Sequence, residues 1–244
     1  MKPPRLAAWS GPRNISTAMM RAWENRGDCA VVDEPLYAHY LAQTGLDHPG
    51  REQVIAAGDT DWRRVAAWLT GPIPGGKAIW YQKHMTHHLL AHIDRRWLAE
   101  LTHVFLIRDP CEVLLSYIKS RPRVTAEDIG VLQQREIFGY LRELRGETPP
   151  VIDAGEFLQA PEAHLRALCA ALGVAFTPRM LQWPAGPRPS DGVWAPHWYE
   201  AVLRSTGFEP YRMRARRVPD EYQDIVEAVM PAFEEMFAQR LRPG

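Results

Sequence analysis

One segment near the N-terminus has the composition of a phosphate-binding loop. A short apolar stretch at 5–9 is followed by a Gly-Pro turn, and good helix formers follow Thr17. A helix that opens directly after such a turn presents free backbone N–H groups to an anion, and its dipole attracts the same charge. The guanidinium of Arg13 and the hydroxyls of Ser16 and Thr17 add to that attraction. We expect this segment to bind a phosphate group of a nucleotide.

A second segment has residues that could hold another phosphate. The apolar strand predicted at 103–107 is followed by Arg108, Asp109 and Pro110, and helix formers continue to Ser116. Aspartate is a common helix N-cap and proline is favoured at the first helical position, so we expect a helix to begin there. The arginine then lies at the carboxyl end of the strand, and the serine lies about two turns along the helix.

Both segments resemble motifs of the sulfotransferases that use 3′-phosphoadenosine-5′-phosphosulfate (PAPS). The first resembles their P-[KR]-S-G-T-T loop, with Asn14 and Ile15 in place of Ser and Gly, and the second matches their R-[DN]-P-x-[DE]-x-x-x-S element in residue types and spacing. The resemblance implies that the first segment binds the 5′-phosphosulfate and the second binds the 3′-phosphate. The implied cofactor-binding residues of the two segments are Pro12, Arg13, Asn14, Ile15, Ser16, Thr17, Arg108 and Ser116.

A lysine at the end of another predicted strand resembles the catalytic lysine of the same family. Lys83 lies in a Gln-Lys-His-Met sequence that is similar to the family's K-T-H element. The resemblance implies that Lys83 and Arg13 stabilise negative charge during sulfuryl transfer. The family's base histidine would fall at Met85, so the catalytic base is left open between Glu34 and His84, with the later histidines as further candidates.

The residues after the second predicted strand have two interpretations. Asp33 and Glu34 lie at a carboxyl strand end, where open α/β sheets bind ligands, so they could contact the acceptor or take its proton. They could equally form a solvated turn that caps a helix beginning at Pro35. Likewise, His87 and His88 are expected either to line the acceptor pocket or to be hydrogen-bonded structural residues.

The segment 174–219 is rich in Pro, Trp and Arg and has little periodicity, which predicts a long substrate loop or lid with a short helix near 196–204. Its residues 188–194 resemble, in part, the late R-K-G-x-x-G-x-W loop that closes over the nucleotide. The resemblance implies cofactor binding by Arg188, Gly192 and Trp194. His197 and Trp198 are candidate acceptor-binding residues, although this aromatic patch could instead pack on the core.

The histidines between 84 and 92 also suggest a metal site, because three of them recur at helical spacing. Convergent metal sites usually include a carboxylate or an H-E-x-x-H arrangement, and neither is present here. We therefore expect no metal.

The apolar pattern alternates between strands and helices, which predicts an α/β fold. We expect a three-layer, P-loop-like sandwich with a mainly parallel central sheet of about five strands and a long C-terminal helix. The predicted strands are 5–9, 29–32, 77–81, 103–107 and 150–153. The predicted helices are 14–26, 35–43, 62–70, 86–98, 110–120, 126–145, 161–172 and 220–240. Residues 1–244 are expected to form a single sulfotransferase-like domain.

Composition limits the partners and the compartment. The chain has 29 basic and 29 acidic residues, so no global field indicates nucleic acid or an anionic membrane. The three cysteines, Cys29, Cys111 and Cys169, form no C-x-x-C pair, which argues against structural zinc or disulfides and fits a reducing compartment. With no apolar signal segment or membrane-length run, we expect a cytoplasmic protein. The oligomeric state stays open, a homodimer included.

The resemblance to PAPS-dependent sulfotransferases implies that the chain moves the sulfuryl group of PAPS, by in-line transfer, to a hydroxyl or amine of a small-molecule acceptor and releases 3′,5′-adenosine bisphosphate. One alternative is a P-loop kinase-like phosphotransferase that uses ATP and magnesium, but the Gly-Lys pair of that loop is missing. Another is a catalytically inert protein that has kept the nucleotide-binding fold.

Overall fold

The computed structural model describes residues 4–119, 123–212 and 217–243, and within them five strands form one sheet in the order β2-β3-β1-β4-β5. The strands are β1 (Arg5–Ser10), β2 (Cys29–Asp33), β3 (Ile79–Met85), β4 (Thr102–Ile107) and β5 (Val151–Asp153). The β2–β3 and β4–β5 pairs are parallel. The predicted α/β fold with a parallel central sheet is confirmed.

The strands are apolar over most of their length because both faces of a parallel sheet are covered. All residues of β3 are buried, and in β1 only Arg5 is partly accessible. Arg5 donates from Nε and Nη2 to the carbonyl oxygen of Gly71, which satisfies its guanidinium at the strand entrance.

Helices connect the strands. They are α1 (Ser16–Glu24), α2 (Tyr37–Thr44), α3 (Arg51–Ala57), α4 (Trp62–Thr70), α5 (Pro110–Tyr117), α6 (Ala126–Ile129), α7 (Val131–Arg145), α8 (Ala154–Gln159), α9 (Pro161–Ala171), α10 (Ala195–Trp198), α11 (Glu200–Arg204) and α12 (Gln223–Ala238). Pro231 lies inside α12 without interrupting it. The expected helix near 196–204 is present as α10 and α11.

Two helix predictions were wrong. The segment 86–98 contains only short 3-10 turns, because the Asp94 carboxylate accepts from the backbone N–H of Arg96 and so competes with a continuous helix. The helix predicted at 126–145 is divided at Gly130, whose φ of 81° lies in the left-handed region. Helices α3 and α8 were not predicted.

The described residues group into two compact units. The first contains residues 4–8, 16–103 and 177–208, and the second contains 9–15, 104–119, 123–176, 209–212 and 217–243. Part of the predicted lid, 213–216, lies outside the described residues. No helix within the described ranges is both long and apolar enough to cross a membrane.

The core of the first unit includes residues of the segment predicted as a lid. Trp194 and Tyr199 pack with Tyr37, Leu41 and Val54 of α2 and α3 in one buried cluster. Their burial removes large aromatic surfaces from water, which is a major favourable term in folding. This part of the segment is therefore core structure in the first unit.

The core of the second unit lies around β4 and the long helices. Phe105 of β4 meets Phe138 of α7 edge to face, with ring centroids 5.4 Å apart. Helix α12 packs against α7 and buries Val229, Phe233 and Met236. These contacts fix the helices that follow the β4 strand end.

Candidate active site

The second unit holds a cluster of cations and hydroxyls at the end of β4. Arg13 donates from Nε to Ser116 Oγ at 2.8 Å, and Arg108 donates from Nη1 to the carbonyl oxygen of Arg13 at 2.8 Å. Asp109 caps α5 by accepting from the N–H of Cys111, as the sequence predicted. The cap starts the helix directly after Arg108, and this places Ser116 on the turn that Arg13 reaches.

The loop that carries Arg13 is held in an uncommon conformation. Arg13 has a φ of 56°, a region that non-glycine residues rarely occupy and that costs about 1–3 kcal/mol. Asn14 compensates by donating from Nδ2 to the carbonyl oxygen of Leu106 and accepting from the N–H of Ile15. Gly130 lies so close that an added Cβ would be 2.7 Å from Pro12 Cδ. The loop is thus fixed from several sides before any ligand arrives.

Arg108 is oriented by a buried carboxylate. Its Nε and Nη2 donate to Glu112 Oε2 at 3.0 and 2.8 Å, and the Tyr211 hydroxyl donates to Glu112 Oε1 at 2.9 Å. The Arg108 side chain is 20% exposed, whereas that of Glu112 is 4% exposed. Arg108 is thus paired with Glu112, whereas Arg13 has no carboxylate partner within the described residues, so the Arg13 guanidinium can attract an anion.

The first unit holds a second cluster, around a buried lysine. Lys83 Nζ donates to Asp33 Oδ1 at 2.8 Å, to Glu34 Oε1 at 2.7 Å and to the Tyr199 hydroxyl at 2.7 Å. The parallel register pairs Asp33 with Lys83 across β2 and β3, and the Glu34 N–H donates to the Lys83 carbonyl oxygen. All three ammonium protons therefore have acceptors, as a buried charge requires.

Tyr199 completes this cluster. Its hydroxyl donates to Asp33 Oδ2 at 2.5 Å and accepts from Trp194 Nε1 at 3.2 Å in addition to Lys83. The N–H of Gly192 points to the same Asp33 oxygen at 3.4 Å. The tyrosine hydroxyl uses its proton and both lone pairs within the protein.

Burial and neighbouring charges change the pKa values of Lys83 and Glu34. The pKa of Lys83 is raised well above its usual value, because attraction to Asp33 and Glu34 exceeds the burial penalty on the ammonium. The pKa of Glu34 is raised by burial, which Lys83 opposes in part. Lys83 is thus a fixed cation, and Glu34 is a carboxylate with more than the usual affinity for a proton.

Glu34 also faces a histidine. Its Oε2 lies 3.9 Å from Nδ1 of His88, a buried nitrogen that has no hydrogen-bond partner within the described residues. Burial holds the pKa of His88 well below its usual value, and its ring stacks on Tyr37 at 4.6 Å. An oxygen about 2.8 Å from both polar atoms could bridge this gap. Glu34 itself has a φ of 41°, so its backbone is held in a rarely occupied region.

His84 lies on the other face of β3. Successive strand residues point to opposite faces, so His84 and Lys83 diverge. His84 is within hydrogen-bond distance of Gln82 at 3.4 Å, and Gln82 donates to the carbonyl oxygen of Leu69. Burial lowers the pKa of His84 to about 3, which keeps its ring neutral.

In the first unit, residues 188–191 form ion pairs and a hydrogen bond with α1. Arg21, which is buried, pairs with Asp191 at 2.7 Å. Arg188 Nη1 and Ser190 Oγ both donate to Glu24, at 3.1 and 2.6 Å. Arg188, predicted to bind the cofactor, thus has a carboxylate partner.

The other predicted residues of the late segment and the histidine stretch differ in exposure. An added Cβ on Gly192 would overlap the ring of Trp194, so only glycine fits there. His197 is exposed, and Trp198 is 46% exposed. His87 stacks edge to face on Tyr40. The described residues contain no group of three or more His, Cys, Asp or Glu side chains that could hold a metal ion.

Sequence reasoning missed three residues that the clusters depend on. Tyr199 lies next to the candidates His197 and Trp198, between α10 and α11, but its burial could not be predicted without the tertiary packing. Glu112 was visible in the acidic position of the Arg108 element, four residues along the helix, a spacing that brings it beside the arginine. Tyr211 carried no local signal.

The chain has an α/β fold with a parallel central sheet. A family model described as a sulfotransferase domain matches residues 4–240. The chain belongs to the sulfotransferase domain family. This membership confirms the resemblance and supports sulfotransfer activity.

Two curated relatives from Arabidopsis thaliana are named as aminotransferase-like proteins. The chain is 36% identical over 228 residues to branched-chain-amino-acid aminotransferase-like protein 2, and 37% identical over 232 residues to protein 1 of the same name. These matches cover 93% and 95% of this chain but only 40% and 41% of the relatives. The chain thus corresponds to less than half of each relative.

Solved structures share the fold. The chain is similar to a sulfotransferase domain from the curacin biosynthetic pathway, with 19% identity, a TM-score of 0.55 and coverage of 93% of this chain and 98% of that one. A sulfotransferase from Alicyclobacillus acidocaldarius has 12% identity and a TM-score of 0.60, with coverage of 96% and 94%. A sulfotransferase domain from the Synechococcus PCC 7002 olefin synthase has 16% identity and a TM-score of 0.59, with coverage of 96% of both chains.

Proposed function

We propose that this protein transfers the sulfuryl group of PAPS to a hydroxyl or amine of a small-molecule acceptor. The observation that carries the proposal is the cluster in which Arg13 meets Ser116 while Arg108 bonds the Arg13 backbone. Two guanidinium groups and a hydroxyl near a capped helix start are well suited to bind a phosphate. In the family motif, this element holds the 3′-phosphate that distinguishes PAPS from ATP.

The donor's 5′-phosphosulfate is assigned to the first loop. We propose that Pro12 to Thr17 bind it through backbone N–H groups and the hydroxyls of Ser16 and Thr17, as the family motif implies. Arg13 would balance the negative charge that develops on the leaving phosphate. Gly192, Trp194 and Arg188 stay proposed contacts of the nucleotide from the late segment.

Glu34 is the proposed catalytic base. In the transfer, the acceptor oxygen or nitrogen forms a bond to sulfur, the bond from sulfur to the phosphate oxygen breaks, and the acceptor's proton goes to the base. Burial raises the pKa of Glu34, which suits a carboxylate to this task near neutral pH. Lys83 fixes one Glu34 oxygen at 2.7 Å and leaves the other facing His88.

His88 is the proposed partner of that base. Its Nδ1 faces the free side of Glu34, and an acceptor hydroxyl could contact both groups. His84 is less suited to the role, because it lies on the opposite face of β3 and its lowered pKa, about 3, makes it a weak base. Asp33 is proposed to position Lys83, and His87, His197 and Trp198 stay candidates for acceptor contacts.

Two further features are proposed along with the activity. We propose that the chain acts as one sulfotransferase-like domain and functions in the cytoplasm. The free cysteines among the described residues fit a reducing compartment.

A transfer assay with sulfur-labelled PAPS tests the proposal. The protein is incubated with pooled uncharged and amine acceptors, and both labelled product and released 3′,5′-adenosine bisphosphate are measured. We expect both to form together, and both to be lost in Glu34→Gln. The surface variant Glu200→Gln, which removes an exposed carboxylate of α11, is the control and should keep full activity. Transfer of labelled γ-phosphate from ATP with magnesium to the same pool, without transfer from PAPS, would overturn the proposal in favour of a kinase.

A further inference from the structure

The first unit contains a cavity of about 410 Å³ beside the lysine–carboxylate cluster. This volume lies in the range of small-molecule sites, about 300–1,000 Å³. Asp33 and Glu34 form part of its wall, and α2, α3 and α4 contribute much of the rest. Because Glu34 is the proposed base, this cavity is where an acceptor would lie.

Most of the cavity wall is apolar. Its apolar lining residues are Val32, Pro35, Ala38, Val54, Ala57, Val65, Trp68, Val193 and Trp194. Trp194 is buried, whereas Trp68 is 47% exposed, so one indole lies within the core and the other reaches solvent. Such a wall favours a ligand with an apolar or aromatic body.

The charged groups of the wall are mainly acidic. They are Asp33, Glu34, Asp59, Asp191 and Arg64. Arg64 forms a two-bond ion pair with Asp59 at 2.7 Å, so its charge is already balanced.

Two of the remaining carboxylates share one cation. Asp33 and Glu34 both accept from Lys83, which leaves one negative charge in excess when both are ionised. Asp191 is paired with Arg21, whose Nη2 lies 2.7 Å from Oδ1 and 2.8 Å from Oδ2, and the Asp191 side chain is only 6% exposed. The excess negative charge at the wall therefore belongs to Asp33 and Glu34.

We propose that the acceptor is an apolar, preferably aromatic, molecule that is uncharged or carries a cationic amine, and that anionic molecules are excluded from this cavity. That this ligand is the acceptor rests on the proposed function, whereas its chemical class follows from the residues of the cavity wall. A ligand anion would lie near the excess negative charge of Asp33 and Glu34, and like charges repel. A ligand N–H or O–H would instead meet acceptors.

Three probes with the same ring test the ligand class. They are 4-ethylphenol, which is uncharged, tyramine, which is a cation, and 3-(4-hydroxyphenyl)propionate, which is an anion. Binding is followed by the fluorescence of the wild-type protein, in which Trp68 and Trp194 line the cavity. We expect tyramine and 4-ethylphenol to bind at least tenfold more tightly than the propionate. Equal or tighter binding of the propionate, or no binding of any probe, overturns the proposal.

A matched pair of variants tests the location. Ala57 and Ala56 are adjacent exposed residues of α3, and only Ala57 lines the cavity. We expect Ala57→Trp to weaken binding of tyramine at least tenfold and Ala56→Trp to leave it unchanged. Equal affinity in the two variants would show that the probes bind elsewhere and would overturn the proposal.

The proposed function and this inference can fail separately. If the charge preference is found but labelled PAPS gives no transfer to any probe, the cavity assignment stands and the sulfotransferase proposal fails. If the protein sulfates the propionate in preference to tyramine and 4-ethylphenol, the sulfotransferase proposal stands and the ligand class proposed here is overturned.

Discussion

The hydroxyl of Tyr199 offers the sharpest test of the lysine–carboxylate cluster. Tyr199→Phe removes one oxygen that donates to Asp33 at 2.5 Å and accepts from Lys83 at 2.7 Å. Hydrogen bonds to charged groups contribute about 1.5–3 kcal/mol each in mutational measurements. Trp194 Nε1 also loses its acceptor, at 3.2 Å. We expect a loss of about 3 kcal/mol in the free energy of unfolding, the upper end of that range.

The assay is urea unfolding followed by circular dichroism, together with the thermal midpoint. For a chain of this size, about 3 kcal/mol lowers the midpoint by about 6–12 °C. Tyr37→Phe is the matched control, because the Tyr37 hydroxyl is hydrogen-bonded to the His48 ring at 2.9 Å and lies outside the lysine cluster. Its expected cost is about 0.5–1.5 kcal/mol. If Tyr199→Phe costs no more than the control, the hydroxyl does not hold the cluster together and the reasoning is refuted.

Three further substitutions test separate parts of the account. Lys83→Met leaves the Asp33 and Glu34 carboxylates buried without their cation. Urea unfolding should show that the free energy of unfolding falls by about 3–5 kcal/mol, and a fall of less than about 1 kcal/mol would contradict a buried ion pair. Burial raises the pKa of Glu34 in the folded protein, so the folded protein binds this proton more tightly than the unfolded chain does. The free energy of unfolding should therefore fall as the pH rises from the ordinary glutamate pKa through the raised pKa. Glu34→Gln should remove that slope from urea unfolding measured across pH, and an unchanged slope would assign it to another group. Gly130→Ala should cost about 1–3 kcal/mol in thermal unfolding, because φ is 81° and the new Cβ would lie 2.7 Å from Pro12, whereas unchanged stability would show that the loop can shift freely.

The cluster of Arg13, Arg108 and Ser116 was largely predictable because its signals are local. The Asp109 cap and Pro110 mark a helix start, and helix geometry then fixes the distance to Ser116. Asp33 is the last residue of β2 and Lys83 lies two residues before the end of β3, and the parallel register between the two strands brings them together. The individual catalytic and binding roles stay predictions.

The remaining features depend on tertiary packing or on local structure that the apolar pattern does not reveal. Tyr199 is 116 residues from Lys83 in sequence, and it reaches the ammonium only because Trp194 and Tyr199 pack on α2 and α3. The helix expected at 86–98 was wrong because the Asp94 side chain bonds the backbone N–H of Arg96, a local competitor that apolar spacing does not reveal. His84 lies within β3, because this strand runs to Met85, farther than its apolar pattern indicated.

The proposed function requires that the chain bind a nucleotide with a 3′-phosphate. This requirement can be measured by calorimetric titration with 3′,5′-adenosine bisphosphate and with 5′-AMP, which lacks the 3′-phosphate. We predict that the wild-type protein binds the bisphosphate at least tenfold more tightly than AMP, and that Arg108→Ala abolishes the difference while Arg166→Ala, an exposed arginine of α9, preserves it. Equal affinity of the wild-type protein for the two nucleotides would contradict the proposed function.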